Sequence, residues 1–329
     1  MIVTRAQPTA KHSSGLAVLR GNSRRWLQQY GLVLALLVIG GVLTFLTPHF
    51  LTGPNLINVL RQISINGILA VGVTFVLLTG GVDLSLGSMV ALSGVVAACF
   101  AHPEQYPVIV PVLLGVLAGA ACGAANGVVV TKGKVAPFIV TLGMMTVARG
   151  LALVISAGKP VSNLSPEFTA LAGNVGGVPI PVLILVTIAV VAYVFLKNFR
   201  LGRYVYAVGG NENAARASGV NVHAVKLFAY TVSGALAGLA GVVLAARITT
   251  GQPNAGVGYE LDAIAAVVIG GTSLSGGVGS VVGTLLGALL MGVINNGLDL
   301  MNVSSYYQQI AKGLIIVGAV WMDKQQEKS

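Results

Sequence analysis

Asn198–Ala224 reads NFRLGRYVYAVGGNENAARASGVNVHA, the longest polar, basic interruption in an otherwise apolar chain. Within it Asn211 is placed to cap a short helix by accepting a backbone N–H bond. Glu212 then falls in the first turn and Arg216 in the last, the ends at which the helix dipole favours negative and positive charge. The two are four apart with the acid first, the better order for a helix-surface pair. Gly219 is placed to end the helix with φ > 0. The stretch therefore predicts one or two turns of helix standing outside a membrane bundle, on one face of it. An ordinary surface helix in a connecting loop carries the same pattern, so these residues alone name no partner.

The surroundings fix the solvent. Of 329 residues 55% are hydrophobic and 9% charged, against about 25% charged in soluble domains. Such a chain cannot cover a water-facing surface, so most of its surface must face lipid. The 44 glycines suggest closely packed helices. The net charge of +10 does not indicate nucleic acid, because the basic residues lie between apolar runs and form no single groove. Cys99 and Cys122 lie in apolar segments without CxxC spacing, and His12, His49, His102 and His223 are scattered, so neither a disulfide framework nor a metal site is indicated.

A spanning helix needs about 20 apolar residues. Ten segments qualify as candidates: 31–47, 57–79, 86–101, 107–130, 135–156, 180–196, 225–247, 261–273, 280–298 and 307–322. The expected fold is an all-α membrane protein, a multi-span bundle of about ten spans with some broken or re-entrant. The eighth segment is too short to cross alone; it is expected to start outside near Glu260 and end in a glycine-rich bend at depth, with irregular backbone completing the crossing. Residues 1–28 form a basic tail with Arg5, Lys11, Arg20, Arg24 and Arg25, followed by a retained first span rather than a signal peptide. The membrane domain is then 29–323, with a short tail at 324–329. Most of the basic residues fall in the first tail, at Lys132 and Lys134, around 198–224 and at Lys324 and Lys328, which puts both termini and the 198–224 loop in the cytoplasm.

Gly115, Gly119, Gly123 and Gly127 recur every four residues down one helix face, a stripe that lets two backbones approach. The neighbour could belong to this chain or to another. Gly80–Gly87 (GGVDLSLG) matches Gly270–Gly277 (GGTSLSGG) at five of eight places. Matched glycine-rich interruptions of this kind often mark a solute path, although Gly, Ser and Leu are common enough here for coincidence.

Polar groups at depth are costly and so are candidates for function. Asp83 lies in the first glycine-rich bend, Arg149 inside the fifth segment and Lys312 inside the tenth. Asn66, Ser85, Asn126, Asn295 and Asn296 add hydroxyl and amide groups suited to a small polar solute or, equally, to bonds between helices. The alternative for Asp83 is a local cap or turn that holds the bend, and for Lys312 it is snorkelling to an interface. At the outer mouth Tyr259, Glu260 and Asp262 stand near Ser304, Ser305, Tyr306, Tyr307 and Gln308, as interface anchors or as a docking place for a delivering protein. No G-x-x-x-x-G-K-[ST] phosphate loop, G-x-S-x-G elbow, H-E-x-x-H pair or G-x-G-x-x-G fingerprint occurs, and no catalytic constellation emerges.

Together LGRYVYAVGGNENAARASGVNV (201–222), GYELDAIAAVVIGGTSLSGG (258–277), NNGLDL (295–300), VSSYYQ (303–308) and GGVDLSLGSMVAL (80–92) closely resemble the permease subunit of bacterial ribose-type ABC importers. The likeness runs from about Phe45 to Trp321. It implies a pair of permease copies in the inner membrane, a cytoplasmic ATPase that binds ATP and Mg so that this chain needs no cofactor, and a periplasmic binding protein that delivers a monosaccharide. It also implies that Asn211, Glu212, Asn213, Arg216 and Gly219 meet the ATPase. On this reading Asn66, Asp83, Ser85, Asn295 and Asn296 are path candidates, and Glu260, Asp262 and Tyr306 are docking candidates for the binding protein. Two other classes stay open: a gradient-driven transporter with Asp83 as its ion site, and a structural scaffold. The same machine could also carry another pentose or hexose, a polyol or a furanose-like signal molecule.

Overall fold

The computed structural model describes the backbone of residues 15–327 and the side chains of 31–321 except 319. Residues 1–14 of the expected basic tail, and 328 and 329 of the terminal one, lie outside the described residues, as do the side chains of 15–28 and 324–327. Each of the ten apolar segments contains a helix. In chain order these are α1 (Gly15–Leu46), α2 (Gly53–Leu78), α3 (Leu86–Cys99), α4 (Ile109–Lys132) and α5 (Pro137–Ile155), then α7 (Ile180–Asn198), α10 (Val222–Ile248), α11 (Tyr259–Ile269), α12 (Val281–Leu300) and α13 (Ser305–Glu327). Of these, α2, α4, α5, α7, α10 and α12 are long and apolar enough to cross a membrane on their own. At 1.5 Å per residue α3 reaches roughly 21 Å and α11 roughly 16 Å, short of the roughly 30 Å hydrocarbon layer. Non-helical backbone at 80–85 and 270–280 continues both of them, as expected for broken segments shielded by protein.

The centre of the bundle is α2, α3 and α10. Every residue of α2 from Ile63 to Leu78 is buried, and α3 is buried from Leu86 to Val95. A helix that is apolar on all sides belongs in such a place. The stripe on α4 packs against α10 of the same chain, which settles the question the sequence left open. A methyl group added at Gly119 would fall 2.7 Å from Gly238 Cα, and one at Gly123 would fall 3.0 Å from Gly234 Cα. The fit is reciprocal, because a methyl at Gly234 would meet Gly123 Cα at 2.8 Å. On its other side α10 meets α3 through Gly241 and Gly94.

The connection 157–179 is folded. It forms a short helix, α6 (Pro166–Thr169), and a hairpin of β1 (Asn174–Val175) with β2 (Val178–Pro179). Ser165 caps α6 by accepting from Phe168 N, and the fully buried Phe168 packs among Ala97, Val242 and Ala245. Val161 and Gly251 exchange backbone bonds of 2.9 Å, which clamps this connection over the ends of α3 and α10.

Candidate functional site

The polar stretch folds as two helices, α8 (Arg200–Gly210) and α9 (Glu212–Ala217). α9 is capped as its sequence predicts. Asn211 Oδ1 accepts from Ala214 N at 2.9 Å, and Gly219 follows with φ +82°. Glu212 accepts from Arg216 at 2.8 Å on one carboxylate oxygen and from Lys226 at 2.6 Å on the other. The second bond pins α9 to the start of α10. The Lys226 ammonium, with Arg216 adding to it, holds the Glu212 carboxyl below its usual range. A depressed carboxyl contributes stability that is fully present above its unfolded value of about 4.3 and is lost as pH falls through the lower folded value. The amides of α9 should therefore lose hydrogen-exchange protection below about pH 4. In Glu212→Gln this acid-dependent loss should disappear, and a wild-type acid limb in that variant would refute the assignment.

α8 was not foreseen. Leu201, Val205 and Val208 follow helical spacing, with Arg200 just before them and Arg203 between, and that pattern is its available signal. Val205 and Val208 are buried, and the stacked rings of Phe195, Phe199 and Phe228 hold the α7–α8 corner to α10. The far end of α8 touches both glycine-rich bends. Gly277 N donates to Leu78 O at 3.0 Å, joining the second bend to the end of α2, and a methyl on Gly276 would stand 2.7 Å from Gly80 N, so the two bends touch. A methyl on Gly209 would overlap Leu78 O and stand 2.5 Å from Gly277 N, and Tyr206 Oη donates to Gly279 O at 3.1 Å. The two similar octets thus lie in one joint, with α8 seated on it. Between α9, the start of α10 and the α4–α5 turn lies a groove of about 640 Å³, lined by Glu212, Asn213, Arg216, His223, Lys226 and Lys134 among others.

The five candidate path residues do not form one lining. Asp83 is fully buried and takes bonds from the amide and hydroxyl of Ser85 and, at 3.4 Å, from the hydroxyl of Ser233. Asn126 donates to Ser85 Oγ at 3.0 Å. Asp83 thus closes the bend before α3 as a local turn. Asn296 instead exchanges two bonds with Asn55, at 2.8 and 2.9 Å, between α12 and α2. Asn66 and Asn295 are buried, and Asn295 Oδ1 has no hydrogen-bond partner.

The docking candidates also separate. Asp262 is 4% exposed and ion-paired with Lys312 at 2.8 Å. It is therefore withdrawn from any surface, and Lys312 reaches inward to α11 instead of snorkelling. The cause is electrostatic: a carboxylate out of water needs an opposite charge, and α13 supplies it. Tyr306 is well exposed at the start of α13, and Glu260 is half-buried in the first turn of α11.

A family described as a branched-chain amino acid transport system permease component matches residues 55–320. The ribose import permease protein RbsC of Escherichia coli (strain K12) is 48% identical over 310 residues, 93% of this chain and 96% of that protein. This chain belongs to that permease family. RbsC of Bacillus subtilis (strain 168) is 48% identical over 301 residues, 91% of this chain and 93% of that one. The D-allose transport system permease protein AlsC of Escherichia coli (strain K12) is 40% identical over 298 residues, 90% and 91% of the two chains. No solved structure matches. The chain is thus a multi-pass membrane permease, a transport component and not an enzyme. The family match takes in the whole of α2 to α12 beyond the first turn of α2, and so includes both bends and the helices α8 and α9 of the permease.

Proposed function

We propose that this permease moves ribose or a related monosaccharide across the bacterial inner membrane by alternating access, powered by ATP hydrolysed on another chain. The observation that carries the reading is the capped, ion-paired α9, tied through α8 to both broken segments. A surface helix so connected is a handle by which an outside motor can move the bundle. In this proposal residues 198–224, the tails at 1–28 and 324–329 and both termini are cytoplasmic, and all ten apolar segments of the 29–323 domain contribute to the bundle. The ATPase, which binds ATP and Mg, seats α9 and the groove beside Asn211, Glu212, Asn213, Arg216 and Gly219. A second permease copy completes the path; α5, the least buried of the six long apolar helices, offers it Phe138, Ile139, Leu151 and Val154. Tyr306 faces the periplasmic binding protein; Glu260, half-buried with its oxygens turned onto Gly258 and Gly87, is not part of that docking face. Of the candidate path residues, Asn66 and Asn295 keep a place on the path, whereas Asp83 and Ser85 hold the bend before α3 and Asn296 ties α12 to α2.

Ribose is favoured because relatives bearing that name are 48% identical over nearly the whole length, whereas the allose permease stands at 40%. A gradient-driven mechanism through Asp83 has less support, because both carboxylate oxygens already hold protein donors. The test is uptake of labelled D-ribose into vesicles bearing the permease, its ATPase and its binding protein. Uptake should require ATP and survive collapse of the proton and sodium gradients. Arrest by gradient collapse at held ATP would overturn the proposal.

A further inference from the structure

Between α3, α5 and α11 lies a cavity of about 510 Å³ that none of the candidate path residues lines. Its volume is in the range of small-molecule sites, and like them it has mainly apolar walls with a few fixed polar groups. Met145 and Leu153 of α5 and Val257 supply the apolar side, and Ser88, Arg149 and Glu260 the polar one.

The polar groups are held in place yet only partly used. Arg149 Nη1 donates to Pro253 O and Ala255 O, both at 2.7 Å, which fixes the guanidinium on the chain leading into α11. A guanidinium has five N–H donors in a rigid fork, and no protein partner among the described residues takes those on Nε and Nη2. Glu260 Oε1 accepts from Gly258 N at 3.2 Å. Its other oxygen lies so close over Gly87 that a methyl there would overlap it, so α3 holds the carboxylate from below. Ser88 is 3% exposed and adds its hydroxyl to the lining. Arg149 and Glu260 line one cavity but form no ion pair with each other; the ion pairs among the described residues are those of Glu212 and Asp262.

An arginine and a carboxylate that share a cavity without closing on each other leave a gap whose charges sum to zero. A neutral polyhydroxylated ligand fills such a gap: one hydroxyl donates to the carboxylate while its neighbour accepts from the guanidinium. Its C–H face then lies on Met145, Leu153 and Val257. Ser88 stands one helical turn beyond Ser85, so this wall of the cavity follows the Asp83 bend along α3.

We propose that this cavity is a holding station for a monosaccharide, with Arg149 and Glu260 as the groups that bind its hydroxyls. The inference rests on the sugar-importing function proposed above and adds a place in this chain where the solute stops.

The test uses the complete importer in vesicles, with Thr146→Cys on the cavity wall as reporter and Cys99 and Cys122 replaced by Ser. N-ethylmaleimide labelling of Cys at 146 should slow in millimolar D-ribose and not in L-leucine. Glu260→Gln, nearly isosteric, should raise the ribose concentration for half-protection by about tenfold, the worth of one charged hydrogen bond. Arg149→Lys should do likewise while the chain remains folded, because Lys keeps the charge and loses the fork. Labelling indifferent to ribose, in vesicles that still import it, would overturn the station and leave the function standing. Protection by L-leucine together with absence of ribose uptake would instead overturn the sugar reading, since an arginine–carboxylate gap also fits a zwitterion.

Discussion

Gly209→Val should abolish ATP-driven sugar uptake, by at least about tenfold, while the ATPase still binds. Gly209 lies at the end of α8, where a methyl would overlap Leu78 O and stand 2.5 Å from Gly277 N. Both obstacles are backbone atoms, one at the end of α2 just before the first bend and one in the second bend, and the Gly277 N to Leu78 O bond joins them. Neither can turn aside as a side chain would, so a valine must lift α8 off the joint. Overpacking costs about 1–3 kcal/mol, and with backbone atoms in the way the upper half of that range applies, a factor of ten or more in how often the seated geometry is populated. The surface of α9 is untouched by the change, since its cap and its bonds to Lys226 and Arg216 lie beyond Asn211. Gly210→Ala is the matched control: a methyl there meets nothing within 4 Å. Uptake at the wild-type rate in Gly209→Val would show that α8 does not transmit motion to the bends.

Why this joint escaped the sequence is instructive. α9 was legible because a cap, an i,i+4 ion pair and a terminal glycine are local, and each has a residue type that announces it. The ten apolar segments were legible because lipid permits little else over that length. The octets at 80–87 and 270–277 were seen as alike, but likeness does not say that they touch. Their contact is made by main-chain atoms, which carry no residue identity, and a glycine marks only the absence of something. Lys312 and Asp262 failed for a related reason. Fifty residues apart, each is a lone charge in its own segment, and only the packing of α13 on α11 turns two costs into one pair. Asp83 held both readings in the sequence. The geometry of its two oxygens, which needs Ser233 from α10, favours the turn. The Arg149–Glu260 cavity combines three elements, so no stretch of sequence contains it.

Gly234→Leu should lower the stability of the detergent-purified permease by about 3–5 kcal/mol, above the usual range for overpacking because the atoms in the way are backbone on both sides. A methyl at Gly234 stands 2.8 Å from Gly123 Cα and 2.9 Å from Gly123 N. Relief requires α4 and α10 to part along their length, because Gly115, Gly119, Gly123 and Gly127 all sit at the same seam. α10 also carries Lys226 at one end, which holds α9, and packs against α3 through Gly241. Displacing it loosens the lever and the centre of the bundle together. In lipid there is little hydrophobic drive to press two helices back together, so close van der Waals packing is what the seam has to offer. Gly143 of α5 supplies the comparison, since a methyl there meets nothing within 4 Å. If glycine were abundant here merely as composition, Gly143→Leu and Gly234→Leu would lower the thermal midpoint equally. If the stripe is a seam, only the second will, and Gly119→Leu will match it from the opposite helix.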